Sequence, residues 1–313
     1  MSPPIVETEP LQPVLRELGM AEAVAVVAME GGSLPIFRVD LADGTHLVLR
    51  TYPDTSAKTP AREAFAAAQL PDIGVPVTRY LLCDESRSRL PFRFALTTYL
   101  PGVTAQNLRH HPGIPGVYRE MGVLLRRLHA VPMPGYGSFD AHGLADPVGS
   151  NAKFLRAVID RTFERFGHFG GDPVLTESLR AIVEMRFDDV VTHSAGPVFA
   201  HDDLQPGNVL VTPAADGTLH VSGLIDFGNA HATDAVYDLA KCLFCSLHHA
   251  PDCRTPFMEG YGTVDHPDPA GAIAYYTLLH RMMMWWWLRH IGAIAKPDEP
   301  SDLIDDLRVM AAA

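Results

Sequence analysis

His201-Asp202-Asp203-Leu204-Gln205-Pro206-Gly207-Asn208, followed by Ile225-Asp226-Phe227-Gly228, is the stretch whose reading decides this chain. In order it runs H-x-D-x-x-x-x-N and then I-D-F-G, which sets a carboxylate, an amide and a second carboxylate where they can serve an attacking hydroxyl and a Mg·nucleotide together. The spacing has a physical reason. Pro206-Gly207 cannot continue a helix, so Asp203 and Asn208 flank a turn that aims both side chains into one cleft, one toward substrate and one toward metal. Asn208 leads into the apolar run Val209-Leu210-Val211. After an Ala215-Asp216-Gly217 turn, a second run from Leu219 to Ile225 ends at Asp226. Such a hairpin brings Asp226 beside Asn208. Mg²⁺ is a hard cation that takes oxygen ligands, commonly one or two carboxylates plus nucleotide phosphates, and Asn208 with Asp226 fits that description. Alone, H-D-D beside Pro-Gly is a solvated turn and D-F-G a chance tripeptide; together and in order they read as a phosphotransferase site.

Upstream, the chain offers a nucleotide lid and a cation in the expected order. Gly31-Gly32-Ser33 is a flexible turn inside a predicted three-strand meander of Val24 to Met29, Phe37 to Leu41 and His46 to Thr51, the last two joined by an Asp43-Gly44 turn. Arg50 lies in the last strand, and Glu63 lies in the Ala-rich, helical segment Pro60 to Leu70. A cation on a strand paired with a carboxylate on the next helix is how such folds hold the α- and β-phosphates, so Arg50 and Glu63 are the expected pair. The glycine turn lacks the spaced G-x-G-x-x-G pattern and also reads as an ordinary hairpin turn.

With these residues the sequence resembles the aminoglycoside phosphotransferase and choline kinase group, small-molecule relatives of the protein kinases. The likeness runs from about Gly31 to Cys242. It adds Arg62-Glu63-Ala64, Gly74-Val75-Pro76-Val77, Tyr99-Leu100-Pro101-Gly102, the helix Met121 to His129, and Asp234-Ala235-Val236-Tyr237-Asp238-Leu239-Ala240. The resemblance implies an α+β, bilobal, protein-kinase-like fold, with a β-rich nucleotide-binding lobe over residues 1–97, a hinge over 98–102 and a mainly helical catalytic and substrate-binding lobe over 103–313. It makes Asp203 the residue that accepts or orients the substrate hydroxyl proton, Asn208 and Asp226 the Mg²⁺ ligands, Arg50 the phosphate-binding cation with Glu63 as its partner, and His201 structural. Thr97 would border the adenine pocket, and backbone groups of Thr98 and Leu100 would hydrogen-bond the base of ATP or GTP. Two departures stand out. Arg50 replaces the lysine that most members carry, and a planar fork does not bind phosphates as a point charge does. No A-P-E segment follows Asp226-Phe227, which argues against a protein substrate.

The composition is that of a globular enzyme: 313 residues, 47% hydrophobic and 20% charged, are enough for two lobes with buried cores. Met1 to Leu15 has neither a basic start nor an apolar centre, so it is not read as a secretory signal and a cytoplasmic protein is expected. His280, Arg281, Arg289 and His290 interrupt the apolar stretch Ile273 to Ile294, which therefore reads as a packed helix and not a membrane span. Cys242 and Cys245 form C-x-x-C inside an apolar helix with no second pair nearby, and read, with Cys83 and Cys253, as small buried hydrophobes.

The net charge of −12 repels nucleic acid and tilts the expected acceptor toward a small cationic molecule. Asp234, Glu259 and Asp265 are candidates for its ammonium groups, against the plainer reading of solvated loop carboxylates. Asp238 is expected to cap or brace the catalytic loop. An aminoglycoside-like or other antibiotic is the first choice of acceptor, and choline, ethanolamine, homoserine or hydroxylysine the second. Two other classes compete: a metal-dependent phosphohydrolase using His201-Asp202 with His193, and a nucleotide-binding scaffold without catalysis. The first lacks further ligands at helical spacing, and intact Asp203, Asn208 and Asp226 speak against the second.

Overall fold

A computed structural model describes residues 6–29, 34–54, 59–70, 74, 76–248 and 250–312. The Gly31-Gly32-Ser33 turn, expected to cover the nucleotide, lies outside the described residues. The chain is α+β, and its residues group into two compact units. One takes the described residues within Met1–Met121, Phe139–Gly143 and Pro206–Ala230; the other takes those within Gly122–Ser138, Leu144–Gln205 and His231–Ala313.

The first unit is built on an antiparallel five-stranded sheet. Its strands are β1 (Ala23–Ala28), β2 (Ile36–Leu41), β3 (His46–Tyr52), β4 (Tyr80–Asp84) and β5 (Arg93–Thr98), in the order β1-β2-β3-β5-β4. The predicted meander is its first three strands. Side chains alternate across a strand, so one face of β2 and β3 gathers Phe37, Val39, Leu41, Leu47 and Leu49 under α1 (Gln12–Glu17), which adds Val14 and Leu15 to the same core. The other parity of β3 carries Arg50 and Tyr52, also buried. Helix α2 (Pro60–Ala68) starts where Thr59 accepts the Arg62 N–H at 3.3 Å, with Pro60 in the first turn, a position that needs no donor. A second sheet pairs β10 (Leu219–Leu224) with β9 (Val209–Pro213) and β9 with the two-residue β6 (Val103–Thr104). Gly102 sits at φ 132°, where a side chain would strike Ser222 and the Val211 backbone, so a glycine is required for the chain to lie on this hairpin.

Helix α3 (Ile114–His129) starts earlier than the expected Met121, because Pro115 and Gly116 fall in its first turn, where Pro is tolerated. In the second unit α4 (Asn151–His168) and α5 (Pro173–Val191) pack together, and α6 (Ala235–Leu247) packs on α8 (Pro269–His290), which also meets α4 and α9 (Asp302–Ala312). The short strands β7 (Gly137–Ser138) and β8 (Pro197–Ala200) flank β11 (His231–Asp234). The apolar stretch before Ile294 is the packed helix α8, which buries Tyr275, Tyr276, Leu279, Met282 and Trp285. No helix among the described residues is long and apolar enough to cross a membrane. The four cysteines are free, with Cys242 and Cys253 buried. Helix α7 (Arg254–Tyr261) crosses α3 so closely at Gly122 that any side chain there would strike the α7 backbone. Glu259, read from sequence as part of a loop-rich stretch, therefore stands in a helix.

Candidate functional site

Within the first unit, the second face of β3 meets α2 through a buried charge cluster. Arg50 Nη1 donates to Glu63 Oε2 at 2.8 Å, while Arg50 Nη2 lies 3.1 Å from Asp226 Oδ2. The guanidinium fork thus spans two carboxylates, which a lysine point charge cannot do with one geometry. Glu63 is fully buried, and the same Oε2 accepts the hydroxyls of Tyr52 and Tyr80, each at 3.0 Å. Burial opposes charge on Arg50, but Glu63 and then Asp226 outweigh it and raise its pKa, so it stays charged. Thr97 pairs with Val48 and Tyr80 across the sheet and so shares this face; it is buried, its hydroxyl 3.5 Å from the Val48 carbonyl.

Asn208 and Asp226 close the base of the hairpin. Val209 opposes Leu224, and the Ile225 N–H donates to the Asn208 carbonyl at 3.0 Å, so Asp226 follows directly on the residue opposite Asn208. Asp226 is in the left-handed region (φ 62°, ψ 68°) with Oδ1 accepting the Gly228 N–H at 3.3 Å. A non-glycine held there is over-determined by its surroundings, as at sites where one side chain must be aimed. The donor set is an amide and a carboxylate, all oxygen on the acceptor side, and the carboxylate already attracts one cation, Arg50. These residues fit Mg²⁺ completed by phosphate oxygens. No group of three or more His, Cys, Asp or Glu side chains able to hold a metal occurs among the described residues.

Asp203 belongs to the second unit, on a loop fixed by one buried carboxylate. Asp238, fully buried in α6, accepts the His201 N–H on Oδ2 and the Asp202 N–H on Oδ1, both at 2.9 Å. Its Oδ2 also lies 3.1 Å from His129 Nε2, whose Nδ1 is 2.8 Å from the Tyr261 hydroxyl. An Nε2–H toward the carboxylate leaves Nδ1 to accept from the tyrosine, so each group has one role. Burial would raise the Asp238 pKa, but these donors, with His129 first, hold it at about 2. Asp202 has φ 53°, and its Oδ2 meets Lys241 Nζ at 3.1 Å and His231 Nδ1 at 3.7 Å. Asp203 Oδ1 accepts from Gln205 Nε2 at 3.2 Å.

The remaining expected positions fall as follows. The Thr98 N–H is already given to the Arg79 carbonyl at 2.9 Å. Leu100 is half-buried against Gly223. Asp234 is buried as the N-cap of α6, its Oδ1 accepting the Val236 N–H at 2.7 Å and the Tyr237 N–H at 3.4 Å. Glu259 and Asp265 are exposed. Sequence reading missed Tyr52 and Tyr80 around Glu63, His129 and Tyr261 behind Asp238, and Lys241 on Asp202. The phenols could have been found from strand parity, which puts Tyr52 on the face of Arg50. Lys241 could have been found from its place one helical turn after Asp238.

A model described as the phosphotransferase enzyme family matches residues 26–275. Among solved structures, a thermostable mutant of aminoglycoside phosphotransferase APH(4)-Ia, in a ternary complex with AMP-PNP and hygromycin B, matches with TM-score 0.73 at 16% identity, over 98% of this chain and 98% of that one. A candidate fructosamine-3-kinase from Thermobifida fusca YX-ER1 matches with TM-score 0.68 at 20% identity, over 97% and 99%. A choline/ethanolamine kinase family protein from Mesorhizobium loti matches with TM-score 0.60 at 18% identity, over 92% and 87%. At these identities the likeness shows the protein-kinase-like fold.

Proposed function

This chain belongs to the phosphotransferase enzyme family, and we propose that it moves the γ-phosphoryl group of ATP or GTP to a hydroxyl of a small, cationic molecule, with an aminoglycoside-like or other antibiotic as first choice. One observation carries the reading: the Arg50 fork bridging Glu63 and Asp226, on the sheet face shared by Thr97. A cation held by one buried carboxylate and shared with a second is ready to exchange that second partner for nucleotide phosphates. In this reading the acceptor oxygen bonds to the γ-phosphorus, the bond to the leaving diphosphate breaks, and the hydroxyl proton passes to Asp203. Asn208 and Asp226 would hold Mg²⁺, which when bound neutralises charge on the phosphates. Thr97, Thr98 and Leu100 border the base.

The acceptor class rests on charge and on the neighbours. The chain carries a net charge of −12, and the named neighbours include a hygromycin B complex and a choline/ethanolamine kinase family protein, whose named compounds carry cationic nitrogen groups, amine or quaternary ammonium, beside hydroxyls. Asp234 is a weaker candidate for the acceptor's ammonium, since α6 already uses one of its oxygens; Glu259 and Asp265 are exposed and suited to it. The test is a coupled assay of nucleoside diphosphate release over aminoglycosides, peptide antibiotics, macrolides and amino alcohols. Release with an antibiotic, together with reduced drug susceptibility of expressing cells, is the expected outcome. Release with choline or homoserine and no protection would move the acceptor to a metabolite. Asp203→Ala should lower turnover by ~10²–10⁴-fold, the range for a lost proton acceptor, with nucleotide binding by calorimetry preserved. Full turnover in that variant defeats the proposal.

A further inference from the structure

Helix α6 presents two opposite charges to the same short loop. Asp238 sits in its first turn and Lys241 three residues later, on the same helical face. Asp238 takes the backbone N–H groups of His201 and Asp202, and Lys241 takes the side chain of Asp202. Asp202 is thereby gripped at both its backbone and its carboxylate, and it is a left-handed non-glycine residue at φ 53°. That conformation is sparsely populated and costs free energy unless its surroundings enforce it. The pair is sheltered, the side chains being 15% and 19% exposed, so solvent screens it far less than a surface ion pair. The other carboxylate oxygen, Asp202 Oδ1, is buried without a hydrogen-bond partner among the described residues. The ring of His231 lies farther from the same carboxylate, its Nδ1 3.7 Å from Oδ2. Burial would lower the Lys241 pKa, yet Asp202 and then Asp203 raise it above the ordinary lysine value, so the ammonium field reaches both adjacent carboxylates.

We infer that Lys241 is a positioning residue for phosphoryl transfer: its ammonium, clamped on the Asp202 carboxylate, holds the left-handed backbone step that aims Asp203 at the acceptor hydroxyl. The inference rests on the reading of Asp203 given above. Gln205, two residues past Asp203, is neutral and donates to the Asp203 carboxylate at 3.2 Å. Lys241 acts through Asp202 and need not touch nucleotide or acceptor. Its removal should therefore change the rate and leave both affinities in place.

The experiment uses the full chain with Mg·ATP, measuring ADP release with hygromycin B and with water as acceptors, alongside thermal unfolding. Lys241→Met should lower kcat ~10- to 100-fold, the scale of a misplaced reacting group, with the KM for ATP within about twofold. Lys241→Arg, which keeps the cation, should recover most of that loss. In an Asp203→Ala background Lys241→Met should remove nothing further. Should Lys241→Met not fold, Asp202→Gly tests the same link: glycine takes positive φ freely but cannot hold the ammonium, and kcat should fall by a similar factor. Full kcat in Lys241→Met, or in Asp202→Gly where that variant stands in, overturns the inference. So does an equal fractional loss with Asp203 already removed. Full turnover in Asp203→Ala overturns the reading of Asp203 itself, whereas an inactive Asp203→Ala beside a fully active Lys241→Met overturns this inference alone.

Discussion

Glu63 and Asp238 are both fully buried carboxylates, one in each unit, and they use their oxygens in opposite ways. Glu63 gathers three side-chain donors, from Arg50, Tyr52 and Tyr80, on a single oxygen. Asp238 spreads two backbone amides and an imidazole over both of its oxygens. Side-chain donors can turn away to another partner, and Arg50 already divides itself between Glu63 and Asp226. Backbone donors cannot turn without moving the chain. The first cluster therefore holds a cation shared between two carboxylates, and the second fixes a loop.

The sharpest way to break this contrast is to remove the loop's anchor. Asp238→Ala leaves two backbone N–H groups and His129 buried without their acceptor, and should cost ~3–5 kcal/mol of stability, the range for one lost partner of a buried charged pair. Denaturant midpoints would show it, and turnover should vanish with it. Asp238→Asn keeps one acceptor oxygen and should fall between. A small effect on stability would mean that the loop is held by other contacts.

The fork is the matching test of the first cluster. Arg50→Lys puts one ammonium where two guanidinium nitrogens bridge Glu63 and Asp226. Losing one charged hydrogen bond is worth about 1.5 kcal/mol, so the KM for ATP should rise roughly tenfold with little change in stability. Initial rates against ATP concentration measure this, and an unchanged KM would remove the role given to the fork.

What was legible in sequence follows the same division. The hairpin could be read because its turn residues and the Asn208 and Asp226 flanks are local, and Arg50 with Glu63 because a strand and the next helix leave few ways to pair. The Asp238 brace was visible only as a carboxylate in Tyr237-Asp238-Leu239, without its donors. Those donors come from His129, itself backed by Tyr261, and from a loop more than thirty residues upstream, brought together by packing that includes the α3 and α7 crossing at Gly122. The Lys241–Asp202 pair was passed over because charge on a helix reads by default as solvated, although Lys241 stands one helical turn after Asp238. Asp234, read as a candidate substrate group, was not seen in sequence as the cap of α6, which its neighbour Ala235 opens.

Acid should separate the two clusters further. His280, buried in α8, has its Nε2 3.0 Å from the Tyr237 carbonyl, and burial above all holds its pKa down at about 4 against an ordinary 6.5. The unfolded chain then takes up the proton first. Stability is complete above about pH 6.5 and falls as the pH drops toward 4, by up to ~1.4 kcal/mol per pH unit, for roughly 3 kcal/mol in all. Asp238, held at about 2, adds a further loss only below the usual carboxylate value of 3.8. Urea titrations between pH 7 and 4 should show this slope, and His280→Gln should flatten it. Arg50, with its raised pKa, stays charged throughout and contributes nothing in this range.

The smallest expected effect tests whether the donors around Glu63 are as exchangeable as their geometry implies. Tyr80→Phe removes one hydroxyl and leaves Arg50 and Tyr52 on the same oxygen, so the cost should be about 1 kcal/mol, the net worth of one hydrogen bond, with kcat unchanged. Tyr52→Phe should behave alike. All three donors share one acceptor atom, so the two losses are coupled and should not add. With both phenols gone Glu63 has Arg50 as its one remaining donor of the three, Arg50 should be drawn from Asp226, and the double variant should cost more than the sum. Strict additivity in the double variant would mean that the phenols are only packed beside the ion pair, and that Arg50 alone sets the charge on this face.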